Sequence, residues 1–80
     1  MPPGPNSKSL RACFGTRLKA LRVAADLTQE QLAEKANISV DFLSLIERGR
    51  NSPSFENLET LAKALGLPVA ELFKFGRNSG

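Results

Sequence analysis

Two short amphipathic segments, at 28–36 and 40–48, follow each other with only three residues between them. Thr28 and Gln31 form a capping-box pattern at the start of the first segment, and Ser39 is a suitable N-cap for the second. Two helices joined by so short a turn cannot continue in one direction, so they must cross and share a core. This spacing constrains the fold more than any other feature of the chain.

The crossing of the two helices needs residues of particular size and conformation. Ala33 supplies the small side chain that a close approach requires, and Asn37 tolerates a left-handed backbone at the turn. Apolar residues for a shared core stand at Leu32, Ala36, Ile38, Leu43 and Ile46. The segment therefore predicts a helix-turn-helix.

Three further segments show helical periodicity. The first helix is predicted at 9–25, with Ser9 as its N-cap and an apolar stripe of Leu10, Phe14, Leu18, Leu21 and Ala25. The segment 54–65 carries the stripe Phe55, Leu58, Leu61, Ala62 and Leu65. Gly66 then stops this helix, and Pro68 suits the first turn of a short last helix.

The whole pattern predicts an all-α fold. No segment alternates with a period of two residues, so we expect no strands. The five helices are predicted at about 9–25, 28–36, 40–48, 54–65 and 68–75. A chain of 80 residues fits one domain, which we expect at 8–75, between a disordered arm at 1–7 and a frayed tail at 76–80.

The composition limits the chemistry that the chain can perform. It has no His and one Cys, so the commonest general base and metal ligand is absent and Cys13 cannot form an internal disulfide. We expect Cys13 to be a small core residue, and we expect no metal, cofactor or small-molecule ligand. The chain has no apolar run that would span a membrane and no signal-peptide pattern, which favours a reducing cytoplasm.

Positive charge is concentrated near the start of the chain, although the net charge is only +3. Residues 1–25 contain five basic residues and no acidic one. Clustered basic residues are typical of a protein that binds a polyanion, whereas ordinary surface charge for solubility is the alternative. Charge alone leaves both interpretations open.

Four motifs occur in order along the chain: LTQEQLA at 27–33, LSLIERGR at 43–50, PSFENL at 53–58 and LAKALG at 61–66. They resemble the Cro/repressor-type helix-turn-helix family, also called the XRE or lambda-repressor-like family. One departure is Asn37, which stands where the family usually has Gly. The resemblance implies a compact five-helix domain that binds double-stranded DNA, usually as a homodimer.

The resemblance implies that the helix from Val40 enters the major groove. Its outward residues near the N-terminus, expected to contact bases, are Val40, Asp41, Ser44 and Leu45. The two aliphatic side chains can contact a thymine methyl group, the hydroxyl can donate or accept, and the carboxylate can accept from a cytosine amino group. The alternative for Val40 and Leu45 is extra core or dimer surface. Because long amide and guanidinium groups are missing here, DNA shape is expected to contribute to specificity.

Phosphate contacts are expected on both sides of this helix. Gln29 opens the second helix, where backbone N–H groups and a side-chain amide can hold a phosphate. The full set of expected phosphate-contacting residues is Thr28, Gln29, Arg48, Arg50, Asn51 and Arg22. For the residues after the recognition helix, the alternative is a charged, solvated loop.

Two structural contacts are also expected, and the resemblance implies the first of them. Arg22 and Glu47 occupy the positions of a family ion pair that joins the first helix to the recognition helix. The expected dimer interface comprises Leu67, Val69, Leu72, Phe73 and Phe75. The alternative for this last set is that its members close the core of the monomer, which is the stronger expectation for Leu72 and Phe73.

These expectations predict a sequence-specific transcriptional regulator that binds a palindromic operator and is not an enzyme. Restriction-modification controller proteins and small phage repressors are the types that fit so short a chain. The alternatives are an antitoxin, or a protein-interaction module that has kept the fold and lost DNA binding. The weakly polar surface around Asp41 is compatible with the second alternative.

Overall fold

The computed structural model describes residues 9–75. Over this range the chain forms four α-helices and one 3-10 helix: α1 at Leu10–Ala24, α2 at Gln29–Ala36, α3 at Val40–Glu47, α4 at Phe55–Leu65, and the 3-10 helix at Val69–Phe73. The described residues contain no strand. The all-α prediction is therefore confirmed, whereas the expected arm at 1–7 and tail at 76–80 lie outside the described range.

Side-chain caps begin all four α-helices. The side chains of Ser9, Thr28 and Ser39 accept hydrogen bonds from backbone N–H groups in the first turn, as the sequence predicted. The capping box of Thr28 with Gln31 is complete in both directions. Ser54 forms a second complete box with Asn57, which was not predicted. Short polar side chains thus fix where each helix begins.

The ends of α2 and α4 are fixed by left-handed residues. Asn37 has φ 60° and Gly66 has φ 71°, as predicted for the two C-terminal stops. Gly49, which follows α3, has φ 75°. Asp26 has φ 62° in the turn between α1 and α2, which was not predicted. Asp tolerates this conformation because its short polar side chain can bond locally.

The core lies where α1, α2, α3 and α4 meet and is closed by the 3-10 helix. Its fully buried large side chains are Leu18, Leu32, Leu43, Ile46, Leu61 and Leu72. Ala33 is 3% exposed, which agrees with its predicted role at the crossing of α2 and α3. Ile38 is half-buried against this core.

Three residues of the predicted apolar stripes lie outside the core. Leu10 is 65% exposed, Phe55 is 86% exposed, and Ala25 is an exposed residue that follows α1. Leu10 and Phe55 are the first residues of their helices, and Ala25 is the C-cap of α1. Periodicity identifies a helix face but not how far along it the neighbours reach. Cys13 is half-buried rather than in the core.

The predicted fifth α-helix is a five-residue 3-10 helix. Pro68 precedes it as an extended residue instead of forming its first turn. Leu72 anchors it in the core, and the Nε of Arg17 donates to the carbonyl oxygen of Glu71 over 3.0 Å. The 3-10 conformation is common in segments this short. Here it is long enough to place one side chain, Leu72, in the core.

Among residues 9–75, no helix is both long and apolar enough to cross a bilayer. Within the same residues, no group of three or more His, Cys, Asp or Glu side chains is placed to hold a metal ion.

Candidate nucleic-acid interface

The α3 helix presents two different faces. Leu43 and Ile46 are fully buried against the core. On the outer side, Val40 is 38% exposed and Asp41 is exposed. Ser44 and Leu45 lie beside them and are half-buried. The four residues predicted to contact bases therefore share an accessible surface, which is most open at the N-terminus of the helix.

The chemical groups on this surface are few. The sequence of α3 is VDFLSLIE, which contains no Lys, Arg, Asn or Gln. Among the described residues, the carboxylate of Asp41 forms no ion pair and no side-chain hydrogen bond. The outer surface thus offers a carboxylate acceptor, a hydroxyl and two aliphatic side chains.

The C-terminal end of α3 is held by a buried ion pair. The Nε of Arg22 lies 2.7 Å from Oε2 of Glu47, and its Nη2 donates to Oε1 over 3.1 Å. The side chains are only 11% and 2% exposed, respectively. The structure brings together the two residues that the family resemblance paired. A bidentate pair of this kind fixes the distance and the angle between α1 and α3.

Two further hydrogen bonds extend this ion pair into a network. The side-chain amide of Gln29 donates to Oε1 of Glu47 over 3.0 Å, and Nη1 of Arg22 donates to the carbonyl oxygen of Leu27 over 2.9 Å. Gln29 was expected at a phosphate, and its bond to Glu47 was not predicted. The start of α2, the end of α1 and the end of α3 are therefore joined through one carboxylate.

A close backbone contact lies next to this network. Gly15 of α1 is buried, and a Cβ at this position would lie 2.7 Å from the carbonyl oxygen of Glu47 and also too close to that of Ile46. Only a residue without a side chain allows this approach. Gly15 was not among the predicted site residues, although a glycine inside a strong helical stripe is a signal for close packing.

The residues after α3 lie at the surface. Arg48 and Arg50 are exposed, while Asn51 is half-buried and its side-chain oxygen accepts from the N–H of Ser52 over 2.8 Å. Between the two arginines, Gly49 packs against Ala12 of α1, where an added Cβ would lie 2.9 Å from the Ala12 Cα. The turn that carries both charges is therefore held against α1. Unlike the two arginines, the predicted phosphate-contacting residue Thr28 uses its side chain within the protein, because its hydroxyl accepts from the N–H of Gln31.

The five residues expected at a dimer interface differ in exposure. Leu72 is fully buried within the monomer and cannot contact a second copy. Leu67 and Phe75 are half-buried, and Val69 and Phe73 are 37% and 38% exposed. The ring of Phe73 packs against Phe14, with 5.2 Å between the ring centroids. Only some of the predicted residues are therefore available to a partner.

Val69 and Phe73 belong to a larger exposed apolar surface. We call it the Phe55 patch, and it comprises Leu10, Phe55, Val69 and Phe73. Two shallow grooves meet at Phe55. One, of about 210 Å³, is lined on its far side by Arg11 and Phe14, and the other is lined by Glu59. Val69 and Phe73 belong to the predicted dimer interface, whereas the exposure of Leu10 and Phe55 was not predicted, because the apolar stripes assign both to the core.

Comparison with known proteins agrees with this architecture. The sequence pattern of the helix-turn-helix family matches residues 18–72. The immunity repressor protein of Bacillus phage phi105 is 52% identical over 58 residues, which are 72% of this chain and 40% of the repressor. The control protein C.BamHI of Bacillus amyloliquefaciens is 31% identical over 70 residues, which are 86% of each chain. This chain thus spans less than half of the phage repressor but most of the control protein.

A solved structure shows the same fold. The restriction-modification controller protein C.AhdI from Aeromonas hydrophila superposes with a TM-score of 0.77 at 38% sequence identity, and the match covers 79% of this chain and 96% of that chain. The family pattern includes α2, α3, and the network around Glu47. On these grounds, the chain belongs to the helix-turn-helix family of the Cro/repressor type.

Proposed function

We propose that this protein is a transcription regulator that binds double-stranded DNA by inserting the N-terminal half of α3 into the major groove. One observation carries the proposal: α3 is buried and braced at its C-terminal end while Val40 and Asp41 stay accessible. A recognition helix needs both properties, because bases are read by side chains held in a fixed orientation. Family membership also favours a regulator over an enzyme.

Phosphate contacts are proposed on the two sides of α3. The N-terminus of α2 offers the backbone N–H groups of its first turn and the amide of Gln29, whose position is set by Glu47. Arg48 and Arg50 are exposed in the turn directly after the same, C-terminal end of α3. Thr28, Asn51 and Arg22 already use some of their hydrogen-bonding capacity within the protein. The Gln29 amide likewise donates to Glu47, so we expect the strongest phosphate contacts from the exposed Arg48 and Arg50.

Salt dependence tests the electrostatic side of this proposal. If six to ten phosphates are contacted by a dimer, affinity falls by about 10³–10⁵ between 50 and 200 mM salt. Arg50→Ala lowers the slope of log affinity against log salt by about 1 for each phosphate that the variant no longer neutralises. Lys63→Ala is the matched control, because Lys63 is an exposed residue of α4, outside the proposed phosphate-binding set. The proposal is contradicted if DNA affinity does not change with salt concentration, or if the two variants have equal slopes of log affinity against log salt.

We propose further that a second copy of the chain covers the Phe55 patch. An 86%-exposed Phe beside two grooves gives a projection and a recess on one surface, which a two-fold contact matches in both directions. Arg11 and Glu59 lie in different grooves that share Phe55, so the same two-fold contact can pair opposite charges. The dimer then matches a palindromic operator whose half-sites lie about one helical turn apart.

Sedimentation of two serine variants tests this dimer. Phe55→Ser is expected to weaken self-association by at least tenfold, since burying a Phe side chain stabilises by about 1.5–3 kcal/mol. Val23→Ser is the control, because Val23 is also well exposed, at 60%, but lies at the other end of α1. Equal dimerisation of the two variants rules out the Phe55 patch as the interface.

Selection of bound fragments from genomic DNA tests the function as a whole. The expected result is the recovery of a specific DNA site that is palindromic. A phage-type repressor and a restriction-modification controller then differ by the genes that flank the site. Lack of binding at low salt favours the alternative of a protein-interaction module, for which the exposed Phe55 patch is a suitable surface. An antitoxin would instead bind a toxin protein. With this regulatory function, we propose a cytoplasmic location for the protein.

A further inference from the structure

The outer surface of α3 combines a hydrogen-bond acceptor with aliphatic groups, and it lacks strong donors. Asp41 provides the carboxylate, and Val40 and Leu45 provide the aliphatic groups. Residues four apart on a helix are neighbours, with about 5–6 Å between their Cβ atoms, so Leu45 lies next to Asp41. Val40 adjoins Asp41 in sequence at the exposed first turn. A base facing Asp41 therefore meets an acceptor and an apolar surface together.

The four standard bases meet these two requirements unequally. In the major groove, cytosine presents an amino donor, whereas guanine presents only acceptors, which a carboxylate repels. Thymine has the methyl group but places the O4 acceptor beside it, and adenine has an amino donor beside the N7 acceptor and no methyl group. Each standard base thus satisfies one half of the surface at most.

One modified base satisfies both halves. 5-Methylcytosine keeps the amino donor of cytosine and carries a methyl group on the adjacent ring carbon, in the position of the thymine methyl group. We propose that the surface formed by Val40, Asp41 and Leu45 recognises 5-methylcytosine, and that the protein binds a methylated operator more tightly than the unmethylated one. This inference rests on the proposed DNA binding and names the base chemistry that the same surface prefers.

The bracing of α3 makes this preference measurable. The network around Glu47 and the contact of Gly15 fix the depth and angle of the helix relative to α1. A shift of α3 within the domain towards an unmethylated base would break these contacts. Burial of one methyl-sized group corresponds to about a fourfold change in affinity. Symmetric methylation of two half-sites then gives about a 16-fold change for a dimer, since the two contributions multiply.

The experiment starts from a duplex that the full-length protein selects from genomic DNA. Each cytosine of the half-site is replaced in turn by 5-methylcytosine, and each thymine by uracil, which lacks the methyl group. Dissociation constants are measured at one salt concentration. We expect one cytosine position at which methylation tightens binding by about fourfold per half-site. Uracil at an adjacent thymine is expected to weaken binding by a similar factor.

Variants assign the effect to the named residues. Val40→Ala is expected to reduce the ratio of methylated to unmethylated affinity towards one. Asp41→Asn is expected to shift the preference at the same position from cytosine to adenine, because an amide pairs with the N6 and N7 of adenine. Glu34→Gln removes one negative charge from an exposed position of α2 that lies outside the proposed DNA and dimer contacts, and it is the matched control, with an unchanged preference. The readout is a ratio of affinities, so a uniform gain from a removed negative charge does not mimic it.

The outcomes separate this inference from the function it rests on. Specific binding with less than a twofold effect of methylation at every cytosine overturns the inference and leaves the regulator intact. A methylation effect that persists at full size in both Val40→Ala and Asp41→Asn overturns the assignment to this surface. No specific duplex at any salt concentration contradicts the proposed function itself.

Discussion

The two ends of α3 differ more than any other pair of regions in this small domain. At the C-terminal end, Glu47 is buried, takes hydrogen bonds from two neighbouring helices, and lies against the backbone of Gly15. At the N-terminal end, Val40 and Asp41 face outward, and the carboxylate has no partner within residues 9–75. One helix of eight residues thus has a fixed end and a free end.

The two ends of α3 therefore have different roles, one in positioning the helix and one in the proposed recognition. Interactions at the fixed end determine where α3 lies, and changes there alter the stability of the domain. Under the proposed function, side chains at the free end determine what α3 recognises, and changes there leave the core untouched. Because the domain is small and its stability is of the order of 0.05–0.15 kcal/mol per residue, it tolerates few changes at the fixed end.

The largest effect is expected from breaking the buried ion pair. Arg22→Ala removes the cation that faces the almost fully buried Glu47 carboxylate, and within residues 9–75 it leaves the Gln29 amide as that carboxylate's side-chain partner. Removal of one member of such a pair costs about 3–5 kcal/mol. Chemical denaturation measures the loss of stability, and DNA affinity is expected to fall with it. The double variant Arg22→Met with Glu47→Leu is the control, since replacing both charges by apolar groups restores much of the stability.

Unchanged melting together with unchanged DNA binding in Arg22→Ala contradicts the idea of a fixed end. If the double variant recovers stability but not DNA affinity, the positive charge of Arg22 also contributes to phosphate binding.

A smaller loss of stability is expected from filling the contact between α1 and α3. In Gly15→Ala the added methyl group meets the carbonyl oxygens of Ile46 and Glu47, so one helix must shift. Overpacking of this kind costs about 1–3 kcal/mol, which outweighs the gain of up to about 1 kcal/mol from replacing Gly by Ala in a helix. Thermal unfolding measures the balance. Thr16→Ala, an exposed change at the next residue, is the control and is expected to be neutral or stabilising. Stabilisation by Gly15→Ala would falsify the close contact.

A half-exposed ion pair on the other side of α1 provides a contrast to the buried one. A hydrogen bond from Lys74, helped by the positive charges of Lys74 and Arg17, lowers the pKa of Glu71 below its ordinary value of 4.5. A lowered pKa in the folded state means that stability from this group is present above pH 4.5 and is lost as the pH falls through the folded-state pKa.

Glu71→Gln therefore reduces stability near neutral pH by much less than Arg22→Ala, because exposed pairs are weakened by solvent and salt. The difference between wild type and variant is expected to vanish on acidification below the pKa of Glu71. Denaturation curves measured at several pH values test this, and a difference that grows in acid contradicts the assignment.

The smallest effect on stability is expected at the free end. Val40→Ala removes two methyl groups from a side chain that is 38% exposed and raises helix propensity. The free energy of unfolding should change by less than about 0.5 kcal/mol. DNA preference is nevertheless expected to change, as measured by the methylation ratio. A loss of stability as large as that of Gly15→Ala would show that the two ends are not separate.

The sequence predicted the helix boundaries better than the helix faces. Thr28, Ser39 and Asn37 act through hydrogen bonds and backbone conformation within a few residues, so their roles follow from local sequence. Phe55 is different, because its position in an apolar stripe suggested burial while the structure leaves it 86% exposed. Its environment depends on how far α1 and the 3-10 helix extend beside α4, and no local pattern contains that information.

The site shows the same division. The exposed residues Val40 and Asp41 and the charged residues after α3 were predicted from motifs. The bond from Gln29 to Glu47 and the contact of Gly15 with the end of α3 were not, because they join distant residues and, unlike the pair of Arg22 with Glu47, the family resemblance did not imply them. Hydrogen bonds and contacts between distant segments require knowledge of the packing.

By itself, the sequence determined that this chain forms short capped helices and that Ala33 is a buried small residue of the second one. Caps, turns and periodicity act over a single helical turn, and such short-range forces are encoded where they act. Only the tertiary structure decided that Glu47 connects three helices, that Gly15 lies against the end of α3, and that Phe55 faces outward. Burial and long-range hydrogen bonds are properties of the assembled helices, since each depends on what every other helix covers.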